Sequence, residues 1–359
     1  MAASFKQKTS YSFALAASWL AALLISIGFS IYFGLELIKF GRGERTAPPF
    51  TGELKIAILD WVGYYPMVVA DRKGFINRRL RNTGVHVELV NAPSGTGEMN
   101  DLIRTGKVHG SFGVIADFVV LKSLATPIRL VMVSDFSKSD VVVARKDIKK
   151  PLDLRGKRIG IAELSSYAEY ALVRILESAG IDRHSVSFRT VPAMQVPEAI
   201  VAGTIDAGYT WEPARQRAIA NDMNVVLSSE INPELVISGL ALRDEVLVNP
   251  EVAAAVILSY FDGLTYLAEN PKDSGEIVAK YFGTQPDDVL RILKEDSLFI
   301  DLKRNLEIFA TGGIVHKEMQ AINQYFGERG IRQANESVAK LVDLAPLREV
   351  ERIQRTEVQ

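Results

Sequence analysis

A tryptophan, a carboxylate and a proline follow one another at Trp211, Glu212 and Pro213, directly after the small residues of a predicted strand. An indole ring can present its face to an aromatic ring or a cation, and a carboxylate can accept a hydrogen bond from an amine. Each residue also has a structural alternative, namely packing for Trp211, the helix dipole for Glu212 and helix initiation for Pro213. Because the group stands between a strand and a helix, we predict that Trp211 and Glu212 contact a bound solute.

A second group of rings occurs in DWVGYYP, residues 60–66, where Trp61, Tyr64 and Tyr65 surround one glycine. So many aromatic side chains are unusual in a solvated turn, because each buries a large apolar area when it finds a partner. We predict that these rings form part of the wall of a cleft. Packing at the edge of a domain is the alternative.

Two turns that precede predicted helices could hold an anionic group with backbone N–H donors. The first contains Ser94, Gly95 and Thr96, but it lacks the Lys and the glycine spacing of the known phosphate motifs. The second contains Ser165 and Ser166, which could donate to the same anion. A plain turn with a helix cap is the alternative in both cases.

The elements that must position these residues follow a repeating pattern. Apolar strand-like stretches alternate with helical stretches over residues 54–134, which is typical of parallel βαβ units. The alternation restarts near Asp140 and continues to about residue 236, so the sequence predicts a second, smaller α/β lobe. From Pro250 onward the chain is nearly all helical by its periodicity.

Ligands of open α/β sheets bind at the carboxyl ends of strands, next to the N-termini of the following helices. This rule selects five loops, and one of them adds Asp117 to the candidate contacts. If the two lobes face each other, all five loops converge on a cleft between them. The loops are residues 60–66, 93–97, 113–117, 163–167 and 210–213.

Composition argues against several classes of function. Lys plus Arg (42) nearly balances Asp plus Glu (43), so no overall charge favours nucleic acid. The chain has no cysteine, which excludes disulfides, thiolate ligands and a cysteine nucleophile. The four histidines lack metal-ligand spacing, and no G-x-S-x-G sequence is present. We therefore expect no metal, no cofactor, no catalytic residue and no enzymatic activity.

The segment from Ser12 to Leu35 is uncharged and would form a helix of about 36 Å, longer than a hydrocarbon core of about 30 Å. This length favours a retained transmembrane anchor, and the lysines before it favour a cytoplasmic N-terminus. A cleaved signal peptide and a buried helix are the alternatives. The expected location is a single pass through the inner (cytoplasmic) membrane, with the rest of the chain on the periplasmic side.

Several stretches resemble the substrate-binding proteins of nitrate, sulfonate and taurine ABC transporters, including the thiamin-pyrimidine-precursor binders. They are IAILDWVGYYPMVVADRKGFI, EMNDLIRTGKVHGSFG, DVVVARKDIKKPLDLRGKRIGI and EAIVAGTIDAGYTWEPA. The resemblance covers about residues 54–330. It implies an α/β fold of the two-lobed type II periplasmic-binding-protein class, in which two crossing strands join the lobes and the lobes close on a solute.

The patterns and the resemblance together divide the chain into segments. These are a cytoplasmic N-terminus (1–11), the transmembrane helix (12–38), a linker (39–53), lobe 1 (54–139 plus 237–345), lobe 2 (140–236) and a C-terminal tail (346–359).

The resemblance implies a membrane-anchored solute-binding component of an ABC importer, with permease subunits as partners. Its ligand would be a small organic anion or zwitterion, either sulfonate/taurine-like or pyrimidine-precursor-like. Asp60, Asp117 and Glu212 favour a zwitterion or an amine-bearing heterocycle over nitrate, because they add negative charge near the cleft.

Two functions from other classes are kept open. A ligand-sensing subunit that signals to a membrane partner would use the same fold, and it would need a separate output protein. An enzyme related to pyrimidine synthases is the third hypothesis, and the absence of cysteine argues against it, because a cysteine cluster is expected to hold iron in those relatives.

Overall fold

The structure is a computed structural model that describes residues 49–295, 297–330 and 340–357. The predicted cytoplasmic N-terminus (1–11) and transmembrane helix (12–38) lie outside the described residues. The described residues from Phe50 onward form one compact unit.

The described residues form eleven strands and fourteen α-helices. The strands are β1 (Gly52–Ile58), β2 (Val85–Asn91), β3 (Gly110–Val114), β4 (Ile128–Ser137), β5 (Val141–Ala144), β6 (Arg158–Ile161), β7 (Ser187–Thr190), β8 (Ala207–Thr210), β9 (Asn224–Ser228), β10 (Ile237–Arg243) and β11 (Ser297–Phe299). The helices are α1 (Tyr65–Arg72), α2 (Phe75–Leu80), α3 (Thr96–Arg104), α4 (Ile115–Ser123), α5 (Tyr167–Ser178), α6 (Val196–Val201), α7 (Ala214–Ala220), α8 (Asp244–Leu247), α9 (Pro250–Glu269), α10 (Pro271–Phe282), α11 (Pro286–Glu295), α12 (Leu302–Phe309), α13 (Ile314–Glu328) and α14 (Ala345–Glu357).

The strands form two separate sheets. The first sheet has the order β11-β4-β10-β3-β1-β2, and the second has the order β7-β6-β8-β5-β9. β1 pairs in parallel with β2 and β3, and β6 pairs in parallel with β7 and β8, as the alternating pattern predicts. β10 and β5 run antiparallel to their neighbours. The carboxyl ends of the parallel strands therefore carry the five loops that the sequence selects.

The chain passes between the sheets twice. It leaves the first sheet after Ser137 and enters the second at Val141, and it returns between Ser228 and Ile237. The two crossings are hydrogen-bonded to each other, since the Ser137 amide donates to the Val236 carbonyl at 2.9 Å. The Ser229 amide likewise donates to the Asp140 carbonyl at 2.8 Å. Only these two adjacent segments connect the sheets covalently, which is the arrangement that permits hinge motion.

Helix α9 is a core helix of the first sheet's side of the molecule. By length and composition it could cross a membrane, but 67% of its most apolar stretch is buried in the protein. It packs closely on α1, because a Cβ atom at Gly263 would lie only 2.0 Å from the Pro66 carbonyl oxygen. Glycine at that position therefore permits the two helices to touch through their backbones.

The last helix occupies the segment that the sequence predicts as a tail. Pro346, Leu347 and Val350 of α14 are buried, and the helix packs against α9. Its apolar residues recur three to four positions apart, which places them on one face of the helix.

Candidate functional site

A small cavity, the central cavity, lies beside both crossings and takes its walls from both sheets. Its volume is about 30 Å³, more than the roughly 10–15 Å³ that one water molecule needs. The loop after β1 and the start of α3 contribute from one side, and the start of α5 and the residue after β8 contribute from the other. The lining residues are Leu59, Trp61, Tyr64, Thr96, Val114, Asp140, Tyr167, Trp211, Val236 and Ser238.

Trp211 forms part of the wall on the side of the second sheet. Its ring lies 5.9 Å from that of Tyr167 and 6.2 Å from that of Tyr209, measured between centroids. The preceding residue is fixed as well, because the Thr210 hydroxyl donates to the Ala193 carbonyl at 2.7 Å. The indole is half-buried, so it is held by its neighbours and still borders the cavity.

Trp61 contributes to the wall on the side of the first sheet, and its indole N–H is already engaged. Nε1 donates to Asp135 Oδ2 at 3.1 Å, and Asp135 Oδ1 accepts the Ser134 hydroxyl at 2.7 Å. A Cβ atom at Gly63 would lie 1.8 Å from Asp135 Oδ1, so this loop approaches the carboxylate only because the residue is glycine. The ring face of Trp61, and not its N–H, is what remains for a solute.

Neutral hydroxyl groups supply the hydrogen-bond donors of the central cavity. Burial raises the pKa of Tyr64 and of Tyr167 well above its usual range, so both phenols keep their protons. Thr96 and Ser238 add two aliphatic hydroxyls to the lining, which contains no Lys or Arg. Such a site can donate to an anionic group without a full positive charge.

Asp140 is the one carboxylate among the lining residues of the central cavity, and it is 2% exposed. It accepts hydrogen bonds from the Tyr209 hydroxyl at 2.6 Å and from the Ser137 hydroxyl. Burial raises the pKa of Asp140, while these two donors oppose the rise. The carboxylate thus ties the first crossing to β8.

Asp117 connects the two sides of the molecule. Its carboxylate accepts the Asn100 amide at 2.9 Å and the Tyr167 backbone N–H, at the start of α5, at 2.8 Å. Burial raises the pKa of Asp117 to about 6, although both hydrogen bonds favour the charged form. The backbone N–H at the N-terminus of α5, where a bound anion could be expected, is therefore already occupied by the side chain of Asp117.

A second cavity of about 280 Å³, the lateral chamber, shares Trp61 with the central cavity. It is lined by the loop after β1, by Ser139 of the first crossing, by Glu212 and by residues of α11 and the turn before it. The complete lining comprises Asp60, Trp61, Val62, Tyr65, Ser139, Glu212, Pro213, Gln216, Arg217, Thr284, Asp288, Val289, Arg291 and Ile292.

Six of the eleven predicted contact residues border these two cavities. Trp61, Tyr64, Thr96 and Trp211 line the central cavity, and Trp61, Tyr65 and Glu212 line the lateral chamber. The Tyr65 hydroxyl donates to Asp60 Oδ1 at 2.8 Å. The predicted group Trp211–Glu212 thus divides between the cavities, with the ring in one and the carboxylate in the other.

The other five predicted residues do not line either cavity. Asp117 joins the two sides, as described above, and Gly95 holds a positive φ of 104° before α3. The Ser94 amide donates to Glu98 at 2.9 Å, and the Ser165 amide donates to Glu169 at 2.8 Å. Ser166 caps α5 by accepting the Ala168 N–H at 3.2 Å.

These contacts of the serines correspond to the capping alternative. The role of the two serine turns in solute binding stays a prediction, since a hinge movement would change which groups face the cleft.

Sequence reasoning missed Asp140 and Ser139, which come from the first crossing, Ser238, which stands at the start of β10, and Arg291, which comes from α11. The loop rule considers only the carboxyl ends of strands, whereas these residues enter through the hinge and a later helix. Tyr167 was within reach of that rule, because it ends the selected loop 163–167.

Two α/β sheets joined by two crossings, with a cavity lined from both, define a two-lobed binding-protein architecture. The chain belongs to the NMT1/THI5-like family, which matches residues 61–274. The resemblance seen in the sequence is thereby confirmed.

Individual relatives agree with this assignment. The taurine-binding periplasmic protein of Escherichia coli (strain K12) is 26% identical over 266 residues, which is 71% of this chain and 81% of that protein. The periplasmic aliphatic sulphonate-binding protein SsuA from Escherichia coli has a similar structure, with a TM-score of 0.67 at 17% identity, covering 81% of this chain and 92% of that one. The predicted periplasmic-binding-protein fold is confirmed.

The same fold also occurs in an enzyme. The desulfurization enzyme DSZB has a TM-score of 0.61 to this chain at 13% identity, and the match covers 84% of this chain and 99% of the enzyme. The fold alone therefore does not separate binding from catalysis.

Proposed function

We propose that the protein is the solute-binding component of an ABC importer and that its solute is a small organic zwitterion bound beside the crossings. The observation that carries the proposal is the central cavity, which Trp61 and Trp211 line from the sides of the two different sheets. A solute held between them would bridge the two sides of the molecule, so its binding free energy would favour the closed arrangement.

The chemistry of the cavity supports a sulfonate-like group. Tyr64, Thr96, Tyr167 and Ser238 offer hydroxyl donors of the kind that can satisfy sulfonate oxygens. The buried Asp140 nearby would repel a solute that carries only negative charge. A solute with a balancing positive charge, such as an amino-sulfonate, or a neutral amine-bearing pyrimidine avoids this repulsion. Nitrate fits the same surroundings less well.

The cavity also indicates that solute entry requires motion. A volume of about 30 Å³ holds only a few water-sized molecules, so the walls have to separate before a larger solute can enter. Since two hydrogen-bonded crossings are the only covalent links between the sheets, rotation about them is the movement that would enlarge the space.

We further propose that the chain is tethered to the inner membrane through residues 12–38, with the binding domain on the periplasmic side and the permease as its partner. The uncharged length of that segment supports a tether. Binding without catalysis is proposed because the relative that matches 71% of this chain is a taurine-binding periplasmic protein.

Thermal melting of the purified full-length chain tests the proposal. The solutes are taurine, ethanesulfonate, an aminopyrimidine and nitrate, with 1-propanol as an uncharged control. We expect taurine or the aminopyrimidine to raise the melting temperature most, since a ligand at 100 times its Kd adds about 2.7 kcal/mol to the stability. If none of these solutes changes the melting temperature relative to 1-propanol, the proposed solute class is wrong.

A further inference from the structure

Several buried polar atoms of the lateral chamber lack a hydrogen-bond partner. Both carboxylate oxygens of Glu212 are unpartnered, and Glu212 is only 5% exposed. The hydroxyls of Ser139 and Thr284 and one guanidinium nitrogen of Arg291 also lack a hydrogen-bond partner. All four residues line the same chamber of about 280 Å³.

Unpartnered buried polar atoms are uncommon in folded proteins, and a carboxylate is the group for which the loss is greatest. The nearby carboxylates show that this loss is avoidable in this fold. Asp140 accepts two hydroxyl donors, and Asp117 accepts two N–H donors. Glu212 therefore stands out as a group whose hydrogen-bonding capacity the protein leaves open.

Arg291 does not fill that capacity. Its nearest nitrogen lies 3.6 Å from Glu212 Oε1, beyond hydrogen-bond distance, and it is shared with two other carboxylates. Asp288 lies 3.9 Å and Glu295 lies 3.8 Å from the same guanidinium. The chamber lining holds three carboxylates, those of Asp60, Glu212 and Asp288, and two cations, those of Arg217 and Arg291, so one negative charge is left in excess.

We propose that the lateral chamber binds an organic ammonium group and that Glu212 is the residue that recognises it. The ammonium N–H groups would donate to the two open oxygens of Glu212, and the hydroxyl oxygen of Ser139 or Thr284 would accept the remaining one. The face of Trp61, which lines the chamber, adds a cation–π contact.

The chamber also completes the solute site. Trp61 lines both cavities, and the consecutive residues Trp211 and Glu212 face one cavity each. One zwitterion can therefore place its anionic end among the hydroxyls of the central cavity and its ammonium end against Glu212. In this respect the inference rests on the proposed function, because it names the positive group of the same solute.

The test uses probes that separate the two ends. n-Propylammonium chloride carries only the positive group, ethanesulfonate carries only the negative group, and taurine carries both. Calorimetric titration of the full-length chain, with sodium chloride matched for ionic strength, measures each affinity in wild type and in Glu212→Gln. Glu295→Gln is the matched control, because it removes a carboxylate from the same Arg291 but outside the chamber lining.

We expect Glu212→Gln to weaken n-propylammonium and taurine binding at least tenfold, about 1.4 kcal/mol, and to leave ethanesulfonate binding within about twofold. Glu295→Gln should change n-propylammonium binding by less than about twofold, because its carboxylate is exposed and screened. Thr284→Val provides a second variant that keeps the charge of the chamber, and it should weaken n-propylammonium binding about threefold.

The inference is overturned if n-propylammonium does not bind wild type, or binds Glu212→Gln as tightly. It is also overturned if Glu295→Gln has the same effect as Glu212→Gln, since general charge would then explain the result. These outcomes leave the proposed function intact as long as taurine binds. Conversely, Glu212-dependent binding of n-propylammonium without binding of any sulfonate would support the ammonium site and contradict the sulfonate part of the function.

Discussion

The carboxylates of Asp135 and Asp140, near the central cavity, and that of Glu212, in the lateral chamber, are all buried, but only the first two have hydrogen-bond partners. Asp135 and Asp140 each accept two hydrogen bonds from the protein. Glu212 accepts none and has only Arg291 at 3.6 Å. A carboxylate that is saturated by fixed donors holds the structure together, whereas one with open oxygens is available to a solute. Burial alone does not distinguish these three carboxylates.

The largest expected effect is a loss of stability when the hydrogen bonds of Asp140 are removed. Asp140→Ala removes the acceptor of two buried hydroxyls, those of Tyr209 and Ser137, whose O–H groups then have no acceptor. We expect the free energy of unfolding to fall by about 3–5 kcal/mol, measured by urea denaturation. Asp140→Asn, which retains one acceptor oxygen, is the control and should lose less. An unchanged midpoint for Asp140→Ala would show that these hydroxyls find other acceptors.

The next effect is the pH dependence of the stability that comes from Asp117, the residue that links the two sides of the molecule. The pKa of Asp117 is raised from 3.8 to about 6, so the folded state holds the proton more tightly than the unfolded chain does. The resulting stabilisation is fully present below about pH 4 and is lost as the pH rises through about 6. Relative to Asp117→Asn, wild type should lose up to about 3 kcal/mol between pH 4 and pH 7. Parallel pH profiles for the two proteins would contradict the shift.

Truncation of the ring beside Glu212 should affect binding more than folding. Trp211→Ala removes the half-buried wall of the central cavity, and we expect solute affinity to fall at least tenfold, about 1.4 kcal/mol, with little loss of stability. Calorimetric titration with taurine and thermal melting measure the two quantities. A large fall in melting temperature with unchanged affinity would identify Trp211 as a core residue.

The smallest expected effect is the change in stability when Glu212, the carboxylate without a hydrogen-bond partner, is replaced. Glu212→Gln breaks no hydrogen bond, and Arg291 keeps Asp288 and Glu295 as neighbours. We therefore expect the free energy of unfolding, again from urea denaturation, to change by less than about 1 kcal/mol. A loss comparable to that of Asp140→Ala would show that Glu212 is a structural carboxylate and that the two groups do not differ.

Local pattern was sufficient for much of the fold. The alternation of strands and helices and the position of the break near residue 140 follow from periodicities of two and of 3.6 residues, which depend only on near neighbours. The loops at residues 60–66 and 210–213 carry cavity walls because parallel strands bring their carboxyl ends to one edge.

The same reasoning could not find the contributions of the crossings and of α11. Asp140 and Ser139 stand in a short polar connection that resembles any surface turn in sequence. Arg291 lies on a helix 79 residues after Glu212, as the residue numbers show, and no periodicity links the two. Neither the depth of these residues nor their neighbours can be read from composition.

The sequence by itself determined the α/β alternation, the loops that end the strands and the family, because these depend on residue types at short spacing. Only the tertiary structure decided which carboxylates have partners. Asp140 accepts a hydrogen bond from Tyr209 of β8, which lies 69 positions away in the chain. Glu212 lies two residues beyond Thr210, the last residue of β8, and accepts no hydrogen bond. Hydrogen-bond partners are set by which distant segments packing brings within about 3 Å, and that is a property of the folded chain as a whole.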